Sequence, residues 1–216
     1  MPNKLLGFNR KRNHMVCPGK NDSGDKMTTI LAVMGSPRKK GNTDILISKI
    51  TEGAKDSGAQ TGIIYLGGLN IKECDGCHRC WRGKECSKAD DMGGIYQKII
   101  DSDAIIFGTP VYWYGTTGLM KLFIDRLVYF NCPANRAKIK GKSAVLAIVL
   151  EEENPGAFQP VIEFFGKCLA YLEMNLAGQI IVGGVGKKGE ILKKKQKLQE
   201  AYELGRKLAL GKAHFT

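Results

Sequence analysis

The sequence predicts an α/β protein whose five strands form one doubly wound parallel sheet, with a cysteine-rich loop inserted after the second strand. Three observations carry that expectation. Short, wholly apolar runs alternate with stretches of helical period, the pattern of successive βαβ units. The runs are apolar throughout rather than at every second residue, so both faces of each strand are buried, as in a parallel sheet. The loops after the first and third runs also carry unusual chemistry, and in open α/β sheets ligands bind beyond the carboxyl ends of the strands.

The elements follow in order. Residues 1–26 lack a sustained period and carry six basic and two acidic side chains; they read as a basic, loosely ordered arm outside a single domain spanning 27–216. Ile30–Met34 is the first strand. Thr43–Ser57 is a helix with Leu46, Ile50 and Ala54 at i, i+4 spacing. Ile63–Leu66 is the second strand, and the cysteine loop 72–90 follows it. Asp90 and Asp91 open a helix through Ile100, placed where the helix dipole favours acidic groups. Ala104–Gly108 is the third strand, followed by a helix from Thr116 to Tyr129. Ala144–Leu150 and Gln179–Val182 supply the last two strands, separated by a helix over Gly156–Leu172. An amphipathic helix near Glu190–Leu210 closes the chain, with Leu198, Ala201, Leu204 and Leu208 on its apolar stripe.

Composition narrows the function classes. A chain of 216 residues, 43% hydrophobic and 25% charged, suits one ordinary globular domain. No apolar run is long enough to span a membrane, and the basic start lacks the apolar core of a secretory signal. Closely spaced cysteines fit a reducing compartment, so the expected location is cytoplasmic. The net charge of +12 concentrates in the arm, in Arg136–Lys142 and in six lysines over 187–197. Without interleaved aromatics these runs argue for solvated faces rather than nucleic-acid binding. A positive surface that gathers anionic substrates or a dinucleotide phosphate is the functional alternative.

Two loops read as a ligand site. Gly35-Ser36-Pro37-Arg38-Lys39-Lys40-Gly41-Asn42-Thr43 offers close backbone approach, hydroxyl and amide donors, a cation and a helix N-terminus. Together these make a phosphate cradle that is neither Walker A nor GxGxxG. Capping by Thr43 is the plainer account of that residue. In Thr109-Pro110-Val111-Tyr112-Trp113-Tyr114-Gly115, three consecutive aromatics cannot all enter one core, so some face a planar ligand or an oligomer interface.

The third feature is Cys74-x2-Cys77-x2-Cys80-x5-Cys86. Such crowding suits a metal centre, and the x2 spacing resembles a ferredoxin-type iron–sulfur run, although the last gap is longer and Ser87 replaces the usual Pro. Structural zinc, which prefers two Cys-x2-Cys pairs, and a loop of reduced thiols remain alternatives. Cys17, Cys132 and Cys168 are isolated and are set aside as inert thiols. His78 reads as a surface residue.

Taken together, Gly35-Ser36-Pro37-Arg38 with Gly41-Asn42-Thr43, then Thr109–Trp113, then Lys121-Leu122-Phe123-Ile124-Asp125-Arg126, resemble the NADPH-dependent FMN reductase branch of flavodoxin-like proteins. The cysteine run followed by Asp90-Asp91-Met92 is similar to the iron–sulfur flavoproteins of anaerobic bacteria and archaea. The resemblance covers residues 28–185. It implies that Ser36, Arg38, Asn42 and Thr43 bind the FMN phosphate and that Pro110, Val111, Tyr112 and Trp113 face the isoalloxazine. It implies a [4Fe-4S] cluster on Cys74, Cys77, Cys80 and Cys86, with ferredoxin or NAD(P)H as redox partner, and a dimer or tetramer that brings one subunit's cluster toward another's flavin. Lys121, Asp125 and Arg126 read as structural, an Asp/Arg pair bracing the helix. The acidic run Glu151-Glu152-Glu153-Asn154-Pro155 falls where a third flavin loop belongs and departs from the family's small, glycine-bearing loops. Neither flavin loop carries His, Cys or carboxylate, so no catalytic acid or base is assigned. The expected function is FMN-dependent electron transfer. The alternatives are a cluster-free NAD(P)H:FMN or quinone oxidoreductase and, from another class, a zinc-stapled binding module.

Overall fold

A computed structural model describes residues 27–213; the arm, with Cys17, lies outside them. Five strands form one sheet: β1 (Thr29–Met34), β2 (Gln60–Tyr65), β3 (Ala104–Pro110), β4 (Ser143–Val149) and β5 (Asn175–Val182). They lie in the order β2-β1-β3-β4-β5, and every neighbouring pair is parallel. The doubly wound sheet expected from the apolar runs is therefore present. The chain turns outward to β2 after β1 and crosses back to β3 on the other side, so a crevice opens at the carboxyl ends of β1 and β3. There the Gly35 N–H donates to the Gly108 carbonyl at 2.7 Å, joining the two strand ends.

Each face of the sheet carries its own core. On one face α1 (Asn42–Asp56) and α6 (Lys195–Ala209) cover Ile30, Ala32, Ile106, Val145 and Ala147. The two helices approach so closely that a Cβ at Gly53 would stand 2.0 Å from the Tyr202 carbonyl oxygen, and one at Gly205 1.9 Å from that of Ile50. On the other face α2 (Met92–Asp101), α3 (Gly118–Arg126) and α5 (Pro155–Tyr171) bury Leu31, Val33, Phe107, Leu146, Phe123 and Phe165.

Element limits differ from expectation in instructive places. The helix expected over Thr116–Tyr129 ends at Arg126 and tightens into a 3-10 turn, Leu127–Asn131, before the single turn α4 (Pro133–Arg136). Pro133 has no N–H to continue a helix and forces Cys132 into extended backbone. β5 starts at Asn175 rather than Gln179, because Asn175 and Leu176 pair with Ser143 and Ala144 before an irregularity at Ala144/Val145 that skips Ala177. β2 runs over residues 60–65 instead of 63–66, and Leu66 turns inward to be buried. No helix among the described residues is long and apolar enough to cross a membrane.

Candidate functional site

The β1–α1 loop places a buried Ser36 at the strand end, and its Oγ accepts the Arg38 N–H at 3.2 Å. Gly41, not Thr43, is the N-cap, and no side chain caps the helix. The amides of Asn42 and Thr43 therefore stand in the first turn, where an α-helix has no internal acceptor for them. Arg38 is exposed at the loop's outer edge. Asn42 behaves differently from its expected part. Its Nδ2 donates to the carbonyls of Val185 and Lys187, both at 2.9 Å, while its Oδ1 accepts the Ile191 N–H at 3.2 Å. Both amide hydrogens are thus committed to the loop after β5, and what this residue offers an anion is its backbone N–H. Sequence alone gives no sign of those long-range partners.

The β3–α3 loop forms the opposite wall. Tyr112 and Gly115 exchange backbone hydrogen bonds at 3.0 Å, closing a two-residue turn over Trp113 and Tyr114. Both central residues have positive φ, 49° and 60°. That geometry is the type I′ turn, which normally takes Asn-Gly; for a residue with a Cβ it costs about 1–2 kcal/mol each. The strained tip holds Trp113 96% exposed, with Tyr112 and Tyr114 also largely open. Bulky aromatics held in such backbone are a feature of functional sites.

Between these walls lies a cavity of about 210 Å³ lined by Ser36, Arg38, Asn42, Thr43, Pro110, Val111 and Tyr112. Trp113 is absent from that lining. It borders an adjoining cavity of about 390 Å³ with Tyr114 and Glu152, and both cavities share Val111, Tyr112, Leu150 and Glu151. The structure thus gathers the two predicted loops on one crevice, with the post-β4 acidic run as its third side. Lys188 and Gly186 also line it and were not singled out from sequence. For Lys188 the only signal was the basic run 187–197. First-turn amides, two hydroxyls and two cations at one end, with aromatic rings at the other, fit a phosphorylated planar heterocycle such as FMN.

The cysteine loop is latched at its base. Asp90, whose side chain is fully buried, accepts the Lys72 N–H at 2.9 Å and the Met92 N–H at 3.1 Å, and Asp91 accepts the Asn70 N–H at 2.7 Å. Asp90 also pairs with Arg126, itself 1% exposed. Burial opposes ionisation of Asp90, yet the Arg126 guanidinium and the Lys72 N–H hold its carboxyl below the usual range. The expected brace within α3 is therefore corrected: Asp125 pairs with Lys121 at 2.7 Å, and Arg126 reaches across to the cysteine loop.

All four candidate cysteines line one small cavity of about 30 Å³, with Tyr96, Arg126 and Tyr129 behind them. Cys74 and Cys77 lie exposed at its rim, Cys80 is buried and Cys86 half-buried. Burial pushes the Cys80 thiol up, and the nearby sulfurs of Cys86 and Cys74 add to that effect. Cys77 Sγ lies 3.3 Å from Ser87 Oγ. Among the described residues no three His, Cys, Asp or Glu groups converge closely enough to hold one metal ion. That counts against a single zinc. A polynuclear cluster binds each thiolate through a different iron, so the four thiol donors suit it in kind and share one cavity. His78 is exposed and packs edge-on against Trp81 at 4.3 Å; Cys132 and Cys168 line neither cavity.

Residues 28–174 match the family model of the NADPH-dependent FMN reductases. An iron–sulfur flavoprotein of Archaeoglobus fulgidus is 30% identical over 181 residues, covering 83% of this chain and 78% of the relative. Another from the same organism is 43% identical over 97 residues, and there the match spans only 47% of the relative's length. Among solved structures, a Trp repressor binding protein from Bacillus subtilis superposes with a TM-score of 0.62 at 27% identity, covering 82% of this chain and 99% of that one. On the strength of the family match and of the longer alignment, this chain belongs to the iron–sulfur flavoproteins of the NADPH-dependent FMN reductase family.

Proposed function

We propose that this protein is an FMN-dependent electron-transfer oxidoreductase whose cysteine loop carries a [4Fe-4S] cluster on Cys74, Cys77, Cys80 and Cys86. One observation carries the reading: α3 links the two sites. Its first turn is set by Thr117 at the end of the aromatic loop, and its last residue, Arg126, is anchored in the cysteine loop. A flavin beside a cluster exchanges a two-electron donor for single electrons, a conversion that belongs to the cofactors.

The chain's own residues bind and orient. Ser36, Thr43 and the first-turn amides of α1 hold the phosphate, with Arg38 and Lys188 supplying positive charge at the rim. Pro110, Val111 and Tyr112 form the wall for the ring, and the Trp113 turn covers the outer cavity. Asp90, Asp91 and Arg126 fix the cysteine loop so that Cys80 and Cys86 lie inward and Cys74 and Cys77 outward. The redox partner is NAD(P)H or ferredoxin, and the exposed aromatic turn serves a homo-oligomeric contact near the flavin.

The flavin-side cavity shares no lining residue with the cysteine cavity and so can work without it, which favours a second reading, a cluster-free NAD(P)H:FMN or quinone oxidoreductase on the same flavin site. Anaerobic purification, with iron and sulfide analysis and a visible spectrum, separates the two. Flavin bands over a broad shoulder near roughly 400 nm, with iron and sulfide in the sample, support the cluster. Flavin bands alone after reconstitution select the second reading.

A further inference from the structure

Arg126 is the largest fully buried side chain of the described protein, and its interactions are not those of a simple helix brace. Its guanidinium meets three different acceptors on one loop. Nη1 donates to the Lys72 carbonyl at 2.7 Å and to Asp90, while Nη2 donates to Asp90 Oδ1 at 3.3 Å and to Cys86 Sγ at 3.2 Å. A planar fork can serve three acceptors in fixed directions, which an ammonium cannot reproduce. The fork therefore presents a positively charged N–H to the Cys86 sulfur of the cysteine cavity, while Asp90, bonded to both Nη1 and Nη2, offsets that charge.

We infer that Arg126 is a positioning residue that tunes the metal centre: its N–H on Cys86 Sγ raises the one-electron reduction potential of the cluster, and Asp90 holds that effect in check. The inference rests on the cluster reading above. Hydrogen bonds to ligating sulfurs and nearby net charge are two of the main controls on the potential of an iron–sulfur centre. Adding an electron places more negative charge on the sulfurs, so a charged donor favours the reduced form. Removing the donor should lower the potential. Weakening Asp90, which leaves the arginine's charge less compensated, should raise it. A purely structural pair would not produce shifts of opposite sign.

The experiment is a mediated redox titration of the full chain, reconstituted anaerobically with iron, sulfide and FMN. It follows cluster absorbance in wild type, Arg126→Lys and Asp90→Asn, with circular dichroism and bound FMN confirming the fold. Lysine keeps the charge for Asp90 but cannot also reach Cys86, so this variant should fold. Arg126→Lys should weaken the one-electron reduction constant at least tenfold, a downward shift of about 59 mV, and Asp90→Asn should move it upward. Unchanged potentials, or shifts of the same sign, overturn the tuning role while leaving the cluster in place. A wild-type protein that binds FMN but no iron overturns the cluster reading itself, and the inference with it.

Discussion

The Thr117 hydroxyl donates to the Gly35 carbonyl at 2.6 Å while its oxygen accepts the Met120 N–H at 3.1 Å. One side chain thus caps α3 and ties the aromatic loop to the phosphate loop across the switch point. Thr117→Val, which keeps the shape and loses both bonds, should cost about 1–2 kcal/mol of stability in urea unfolding, as other lost threonine caps do. FMN affinity should fall as well. Wild-type values of both would show that the tie is dispensable.

Asn42 connects α1 to the loop after β5 through three hydrogen bonds. Replacing it with Ala leaves the carbonyls of Val185 and Lys187 and the N–H of Ile191 without this partner. The expected loss is about 1–3 kcal/mol in stability. The dissociation constant for FMN, measured where the variant is fully folded, should weaken by less than about tenfold. Lost affinity at undiminished stability would assign the side chain to the phosphate instead.

Trp113 occupies left-handed backbone at φ 49° while almost fully exposed. Trp113→Gly relieves that strain, partly offset by glycine's entropy, so stability should stay level or rise by up to about 1 kcal/mol. FMN binding or oligomer formation should weaken in return. Titration of FMN with light scattering of the variant checks both sides of this trade. A clear fall in stability would mean that the indole packs against the fold.

Each of Cys74, Cys77, Cys80 and Cys86, replaced singly by Ser, should lose most of its bound iron after reconstitution while retaining FMN, because the two cavities share no lining residue. Cys168→Ser serves as the control and should keep wild-type iron. Iron content indifferent to all four replacements would remove the loop as a metal site.

Gly205→Ala drives a methyl toward the Ile50 carbonyl oxygen, 1.9 Å from the ideal Cβ position. Both sides of the clash are helix backbone, so neither can move without separating α1 from α6. A loss of about 1–3 kcal/mol or more is expected in denaturant unfolding. A neutral result would mean that the helices are free to slide.

The apolar runs determined the strands, because a strand covered on both faces leaves no position for a polar residue. That is why Ile30–Met34, Ala104–Gly108 and Ala144–Leu150 were readable, and with them the parallel sheet. Residues dense in unusual chemistry were readable too: the loop around Ser36 and Thr43, the aromatics at Tyr112 and Trp113, and the spaced cysteines. Their resemblance to known flavoproteins added FMN and an iron–sulfur cluster as expectations. Partnerships across long stretches of chain were not readable. Asn42 looked like an anion donor until the fold brought Val185, Lys187 and Ile191 to its amide, and Arg126 lay beside Asp125 in sequence yet bonds Asp90 and Cys86. Lys188 was one lysine in a basic run until the loop after β5 brought it to the crevice. Local sequence sets which backbone a segment adopts and which chemical groups it carries. Which of those groups meet is decided by the packing of helices against the sheet, and only the tertiary structure contains that information.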